Sequence, residues 1–246
     1  MAQQITASDV RASGTPSETT TKTTKKVTRA LLTCGVVAGP IYIVAGAIQA
    51  ATRAGFDIRR HDISLLSNGN LGWIQITNFV LTGLLTIAGA VGMRRILQGS
   101  RGGTWGPLLV GVYGLGLIGA GLFTADPALG FPPGTPADAH AISGHGLMHF
   151  VSGGVGFLAL IAACFVFARR FASLGQRSWS VYSLATGVIF FAAFVGIAVG
   201  SNGSGAALTA VILAFSVAVV LAWAWISAMA VRMWGAAGNG RRMLDA

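Results

Sequence analysis

The stretch "WGPLLVGVYGLGLIGAGLFT", residues 105–124, decides the fold, because it runs for the length of a membrane-spanning helix without one charged side chain. About 20 apolar residues are enough to cross the hydrocarbon core of a bilayer as an α-helix. Six glycines lie within the stretch, and small residues of this kind let transmembrane helices approach one another closely. We therefore expect residues 105–124 to form a transmembrane helix at the centre of a helix bundle.

Further apolar runs lie on both sides of this stretch. The chain of 246 residues is 53% hydrophobic and only 10% charged, whereas an ordinary soluble domain has roughly 25% charged residues. We predict an all-α polytopic membrane protein, in which residues 30–231 form a bundle of six transmembrane helices. The predicted spans are residues 30–51, 73–93, 105–124, 145–168, 179–200 and 205–231.

The basic residues predict the orientation of this bundle. Fourteen of the seventeen Lys and Arg residues lie in the two terminal tails and in the second and fourth connections between spans. Lys and Arg accumulate in cytoplasmic segments of membrane proteins. We expect a multi-pass protein of the cell membrane with both termini in the cytoplasm.

The formal net charge of +10 would suggest a nucleic-acid partner in a soluble protein. Here the basic residues are distributed between apolar runs instead of being gathered in one patch. We therefore expect no nucleic-acid partner, and the expected partners are the lipid bilayer and anionic lipid headgroups.

The two tails differ from the bundle in composition. Residues 1–29 are rich in Thr and Ser and end in "KTTKKVTR" at residues 22–29, with too little apolar content to order themselves. We predict a disordered basic cytoplasmic tail over residues 1–29 and a short basic cytoplasmic tail over residues 232–246. The first apolar run lacks a convincing cleavage site, so we expect it to remain as a helix.

Polar side chains gather in the first and third connections and at the start of the fourth span. His145 and His149 are spaced i, i+4, which places them about 40° apart on one helix face. On the predicted outer side the other members are Arg59, Arg60, His61, Asp62, Ser64, Asn68, Asp126, Asp138 and His140.

One hypothesis for this constellation is a zinc site. Neutral imidazoles at i, i+4 can share a zinc ion, and a third protein ligand would leave one position open for water, as in catalytic zinc sites. The protein would then be a metal-dependent intramembrane hydrolase acting on lipid. The candidate metal ligands are His145, His149 and His61, and the candidate catalytic residues are Asp126, Asp62 and Ser64. This chemistry is similar to that of intramembrane hydrolases of the alkaline ceramidase and adiponectin receptor type, which have seven helices and another order of motifs.

The alternative is structural. Asp126 can cap a turn with Pro127, Asp62 can cap the segment "ISLLS", and arginines such as Arg60 can pair with the acids, so that the two outer loops are held together. Haem fits less well, because His145 and His149 share one helix face. A small-solute transporter is a further alternative, but spans five and six carry no acidic, basic or histidine side chain and no apolar run is plainly broken at its middle, as many transporters require. A channel for a small neutral solute is left open.

Three motifs resemble those of a known family. These are "RRHDISLLSNG" after the first span, "FTADPALGFPPGTP" after the third, and "SGHGLMHFVSGG" at the start of the fourth. Together they resemble bacterial six-helix membrane proteins grouped as domain of unknown function 998, over about residues 30–232. The resemblance implies an integral membrane protein with six spans, and it implies no activity.

Overall fold

The structure is a computed structural model that describes residues 18–100, 102–139, 142–200 and 203–239. These residues form six long α-helices and one short 3₁₀ helix at Ile63–Ser67, with no β-strand among them. The long helices are α1 Glu18–Thr52, α2 Gly72–Ile96, α3 Trp105–Leu122, α4 Gly144–Ser173, α5 Arg177–Gly200 and α6 Gly205–Asn239.

All six helices are long and apolar enough to cross a membrane, which confirms the predicted bundle of transmembrane helices. The shortest, α3, has 18 residues and is about 27 Å long, close to the thickness of a bilayer core. The first helix begins at Glu18, so that residues 18–29, which we expected in an unordered tail, are helical. The guanidinium carbon of Arg29 lies 3.6 Å from the ring centroid of Trp234, and this contact joins the first part of α1 to the last part of α6.

The helices are arranged as a ring in chain order. Each helix packs against the next along the chain, and α6 returns to pack against α1. The largest side chains of the interior are aromatic, among them Trp223, Trp225 and Phe167, which are fully buried. The third helix therefore lies between α2 and α4 in the ring. Its glycines predicted a helix at the centre of the bundle, and this prediction was wrong.

Glycine pairs set the close approach of the first four helices. A Cβ placed on Gly89 of α2 would lie 2.7 Å from the Cα of Gly35 in α1. A Cβ on Gly114 of α3 would lie 2.8 Å from the Gly83 carbonyl oxygen of α2, and one on Gly116 would lie 2.8 Å from the Cα of Gly156 in α4. Lipid provides no hydrophobic drive for helix association, so close backbone packing supplies much of the attraction.

The two ends of the bundle differ in character. The end where α1 meets α2 and α3 meets α4 carries two long connections, and we call it the cap end. The opposite end carries Arg94 and Arg95 of α2, Arg169 and Arg170 of α4, and Arg232 of α6, and we call it the basic end.

Candidate functional site

Two long connections, residues 53–71 and 123–139, pack together over the cap end as one layer, which we call the cap. The layer has a small hydrophobic core of its own, made by Leu65, Leu66, Ala125 and Phe131. Phe131 is completely buried between the two loops. The structure therefore brings together the two segments that carry most of the predicted site residues.

His61 joins these two segments. Its Nδ1 accepts a hydrogen bond of 2.9 Å from the Asp57 backbone N–H, and its Nε2 donates one of 3.0 Å to the Leu129 carbonyl. The ring is buried and lies between Phe56 and Phe131, at centroid distances of 5.4 and 5.5 Å. Both nitrogens are used in this arrangement, so the ring offers no free lone pair to a metal ion.

Leu129 accepts this hydrogen bond from a strained backbone conformation. Its φ is +54°, a region that bulky residues rarely adopt. The tight turn around it is closed by two backbone hydrogen bonds between Ala128 and Phe131, of 3.1 and 2.9 Å. The hydrogen bond from His61 thus fixes a turn that the local sequence does not favour.

Arg53 makes a second connection within the cap. Its guanidinium donates to the carbonyls of Leu66 and Asn68, and it lies 5.5 Å from the Phe131 ring centroid. Burial lowers the pKa of Arg53 from its ordinary value, although an arginine stays cationic in a protein. The charge of Arg53 is therefore stabilised by two carbonyl groups and by the face of an aromatic ring.

The two consecutive prolines of the "FPPGTP" motif pack on glycines of the first connection. A Cβ on Gly55 would lie 3.0 Å from Pro133, and one on Gly69 would lie 3.3 Å from Pro132. Both glycines have a positive φ, of +79° and +73°, which L side chains adopt only with strain. This motif therefore has a structural role in holding the cap.

Asp126 caps the start of α4. Its Oδ2 accepts from the Ser143 backbone N–H at 2.7 Å and its Oδ1 accepts from the Ser143 hydroxyl at 2.6 Å. The Ser143 hydroxyl in turn accepts from the Gly146 N–H at 3.0 Å. Carboxylates are stabilised at helix N-termini, where backbone N–H groups lack partners. We expected Asp126 to cap a turn with Pro127, and it caps a helix instead.

Asp62 and Ser64 form a local cap of the 3₁₀ helix. The Asp62 carboxylate accepts from the Ser64 backbone N–H at 2.9 Å and also from the Ser64 hydroxyl. This confirms the predicted capping of "ISLLS" by Asp62. The side chains of Arg59 and Arg60 are exposed, and the hydrogen bonds described for Asp62 and Asp126 come from serine and backbone donors.

His149 and His145 have different environments. His149 is buried, and its Nδ1 shares its proton between the carbonyls of Ala120 and Phe123 at 3.0 and 2.9 Å. These carbonyls lie at the end of α3, where the last carbonyls lack partners within the helix. His145 is exposed, with its ring 5.7 Å from that of Phe123.

The structure thus distributes the predicted site residues over separate local networks. Within the described parts of the chain, no group of three His, Cys, Asp or Glu side chains is placed to hold a metal ion. Asp138 is exposed, and His140 lies outside the described residues. The zinc hypothesis stays a prediction.

A second polar group lies inside the bundle, beside the cap. Gln49 near the end of α1 and Gln75 and Asn78 near the start of α2 are 3%, 0% and 4% exposed. We call these three residues the carboxamide cluster. The Gln75 Oε1 accepts from Gln49 Nε2 at 2.8 Å and from Asn78 Nδ2 at 3.3 Å. The 3₁₀ helix of the cap packs against both α1 and α2.

The carboxamide cluster is not satisfied by its own hydrogen bonds. Gln49 Oε1, Gln75 Nε2 and Asn78 Oδ1 are all buried, and none has a hydrogen-bond partner within the described structure. An unsatisfied polar group costs several kcal/mol in a membrane interior. Three such atoms in one cluster therefore indicate a place for a bound polar molecule.

Aromatic side chains pack in the bundle interior next to the carboxamide cluster. The ring of Tyr42 lies 5.0 Å from that of Trp223, and Trp223 lies 5.5 Å from Tyr113. Asn78 connects this group to the cluster, because its Nδ2 also donates to the Tyr42 carbonyl at 3.2 Å. The Trp223 Nε1 is a further buried donor without a partner in the described residues.

The carboxamide cluster is not among the predicted site residues, because its three members carry no ionisable group. A signal was present. Gln75 and Asn78 are three residues apart within an apolar run, and so share a helix face, and Gln49 lies in the preceding run. Asn and Gln side chains in transmembrane segments form hydrogen bonds between helices, so their presence in two neighbouring runs indicates a polar contact between α1 and α2.

Comparison with known proteins gives a family and no activity. The model of the family described as "Protein of unknown function (DUF998)" matches residues 36–232. No curated protein and no solved structure matches the chain. The matched segment includes the cap, the carboxamide cluster, the whole of α2 to α5, about half of α1 and most of α6.

Proposed function

The chain belongs to the DUF998 family of unknown function, and from its geometry we propose that it binds a small uncharged polar solute inside the helix bundle. The observation that carries this proposal is the carboxamide cluster, with three buried polar atoms that lack partners among the described residues. The binding would be the recognition step of a membrane receptor or transporter.

The chemistry of the cluster defines the solute. Gln49 Oε1 and Asn78 Oδ1 are acceptors, and Gln75 Nε2 is a donor, so a matching solute has two N–H or O–H donors and one acceptor. Amides, ureas and small polyols have this composition. No member of the cluster is ionisable, and a charged solute at this position would remain uncompensated at high cost.

We further propose that the basic end faces the cytoplasm and the cap end faces outward, in the cell membrane. This orientation is supported by the arginines of the basic end and by the positive-inside rule. The solute would then enter from the outer side, beside the 3₁₀ helix.

The substitution Gln75→Met tests the proposal. It removes the unpartnered Nε2, while Gln49 Nε2 keeps its hydrogen bond to the Ala45 carbonyl and Asn78 Nδ2 keeps its bond to the Tyr42 carbonyl. We expect the detergent-purified variant to melt at a higher temperature than the parent, because a buried unsatisfied donor is lost.

Acetamide, urea and glycerol are the probes, and a solute that binds the native state raises the melting temperature of the parent. This increase should be lost in Gln75→Met.

The matched control is Thr86→Val. Thr86 is buried on the same helix, and its hydroxyl donates to the backbone carbonyl of Thr82, one turn earlier in that helix. We expect this variant to keep the response to the solute. If Gln75→Met instead melts below the parent, the cluster stabilises the fold and is not a binding site.

The metal-dependent hydrolysis of lipid is a second candidate function. It is favoured by His149, since a histidine whose Nδ1–H donates to a backbone carbonyl keeps its Nε2 lone pair for a metal. Elemental analysis of protein purified with zinc supplied and without chelator decides this question. Bound zinc that is lost in His149→Gln supports the hydrolase, and a metal-free parent excludes it.

A further inference from the structure

A groove with a volume of about 360 Å³ runs along the outside of the bundle between α2 and α3, in the half nearest the basic end. Its walls are apolar and face the space that lipid occupies. Exposed side chains on the walls include Val91 of α2 and Leu108 and Leu115 of α3. The groove is therefore accessible to a hydrocarbon chain from the bilayer.

The groove exists because the close approach of α2 and α3 does not continue to the basic end. At Gly83 and Gly114 the two backbones are in contact, and a Cβ on Gly83 would lie 2.6 Å from the Gly114 carbonyl oxygen. One turn nearer the basic end, a Cβ on Gly111 would meet only the Ala90 Cβ, at 3.8 Å. The missing side chain of Gly111 thus leaves space in the wall.

Arg94 lines the groove at its basic end. Its Nη1 is buried and has no hydrogen-bond partner among the described residues. The sequence contains no Asp or Glu between Asp62 and Asp126, so neither α2 nor α3 provides an acid for this guanidinium. A half-buried arginine without a counter-charge is costly, and this cost favours an anion from outside the chain.

We propose that this groove binds one anionic phospholipid, with the phosphate on Arg94 and an acyl chain along the walls of α2 and α3. The charge at one end and the apolar walls beyond it match the two parts of such a lipid. Thr104 also lines the groove at the level of Arg94 and offers a hydroxyl to the phosphate. Guanidinium groups bind phosphate oxygens with two parallel hydrogen bonds, which favours arginine for this role.

Native mass spectrometry of the purified protein measures the binding directly. The probes are phosphatidylglycerol, phosphatidylcholine with the same acyl chains, and inorganic phosphate. We expect phosphatidylglycerol to remain bound, and the other two to bind at least about tenfold more weakly, because one lacks net charge and the other lacks acyl chains. Equal binding of phosphatidylcholine would overturn the role of Arg94, and equal binding of phosphate would overturn the role of the groove.

Three variants separate this site from general attraction to a basic surface. Arg94→Gln should weaken phosphatidylglycerol binding about tenfold or more, since it removes a charge-assisted hydrogen bond. Gly111→Leu should weaken it as well, because the new side chain fills the groove. Arg169→Gln removes an exposed charge at the same end of the bundle and should leave binding unchanged. A loss in Arg169→Gln equal to that in Arg94→Gln overturns the proposal, as does a protein dimer that excludes lipid from the groove.

Discussion

His61 and Asp126 show how the polar residues of the cap are used. His61 bonds a backbone N–H with one ring nitrogen and a carbonyl of the other connection with the second. Asp126 holds Ser143 at the start of α4 with both of its oxygens. Each of these side chains satisfies backbone groups that would otherwise be left without partners at the membrane surface. Their role in the described structure is to join the loops to the helices.

Replacing His61 by Ala should therefore lower stability. The change strands the Asp57 N–H and the Leu129 carbonyl and leaves a cavity between Phe56 and Phe131, so we expect a loss of about 2–3 kcal/mol. Thermal melting in detergent measures the loss. Arg60→Ala is the control, because that side chain is exposed, and it should change stability by less than about 0.5 kcal/mol. Equal melting of the two variants would contradict the role assigned to His61.

Local signals in the sequence predict some of these roles and not others. Asp62 was predictable as a cap, because an Asp directly before "ISLLS" bonds groups only two residues away. Asp126 was assigned to the wrong cap, since its partner Ser143 is brought near by the fold and not by sequence proximity. Arg53 and Phe131 were missed for the same reason, because their contact joins two different connections.

Among the helices, α3 shows how element packing depends on which glycine faces which neighbour. Gly114 and Gly121 face α2, whereas Gly116 and Gly119 face α4. The sequence predicted that these glycines form a packing surface, and the close contacts confirm it. It could not predict that the surface is divided between two partners, because glycine spacing does not identify the helix on the other side.

Gly116→Leu should lower the melting temperature strongly, and Gly111→Leu should not. A side chain on Gly116 would push against the backbone of Gly156, whereas a Cβ on Gly111 would meet only the Ala90 Cβ, at 3.8 Å. Overpacking of this kind costs typically about 1–3 kcal/mol. The comparison is made by thermal melting in detergent without added lipid. Two variants with the same melting temperature would show that α3 and α4 do not touch as described.

On the scale of the whole molecule, the six spans and their positions along the chain could be predicted, because length and apolar content determine them. The closure of the ring could not, since no sequence pattern states that α6 returns to α1. The carboxamide cluster also depends on this scale, because Gln49 and Gln75 meet only when α1 and α2 pack side by side.

Labelling of introduced cysteines tests the proposed orientation of the whole molecule. In a chain whose native Cys34 and Cys164 are replaced by Ala, a cysteine at the exposed Ala137 of the cap should react with an impermeant thiol reagent in intact cells. A cysteine at the exposed Gln98, near the basic end, should react only after the cells are opened. The reverse pattern would place the basic end outside.

The seam between α1 and α6 has a consequence for biosynthesis. Among the contacts that cross it, the Ser227 hydroxyl donates to the Val36 carbonyl at 3.0 Å, Tyr42 lies against Trp223, and Arg29 lies over Trp234. During translation α1 is the first of the six helices to enter the bilayer and α6 is the last. Until α6 is inserted, the nascent protein is an open arc, in which the Val36 carbonyl lacks the Ser227 hydroxyl and the ring of Tyr42 lacks Trp223. A ribosome that stalls before α6 would thus leave an intermediate that membrane quality control can recognise by this open face of α1.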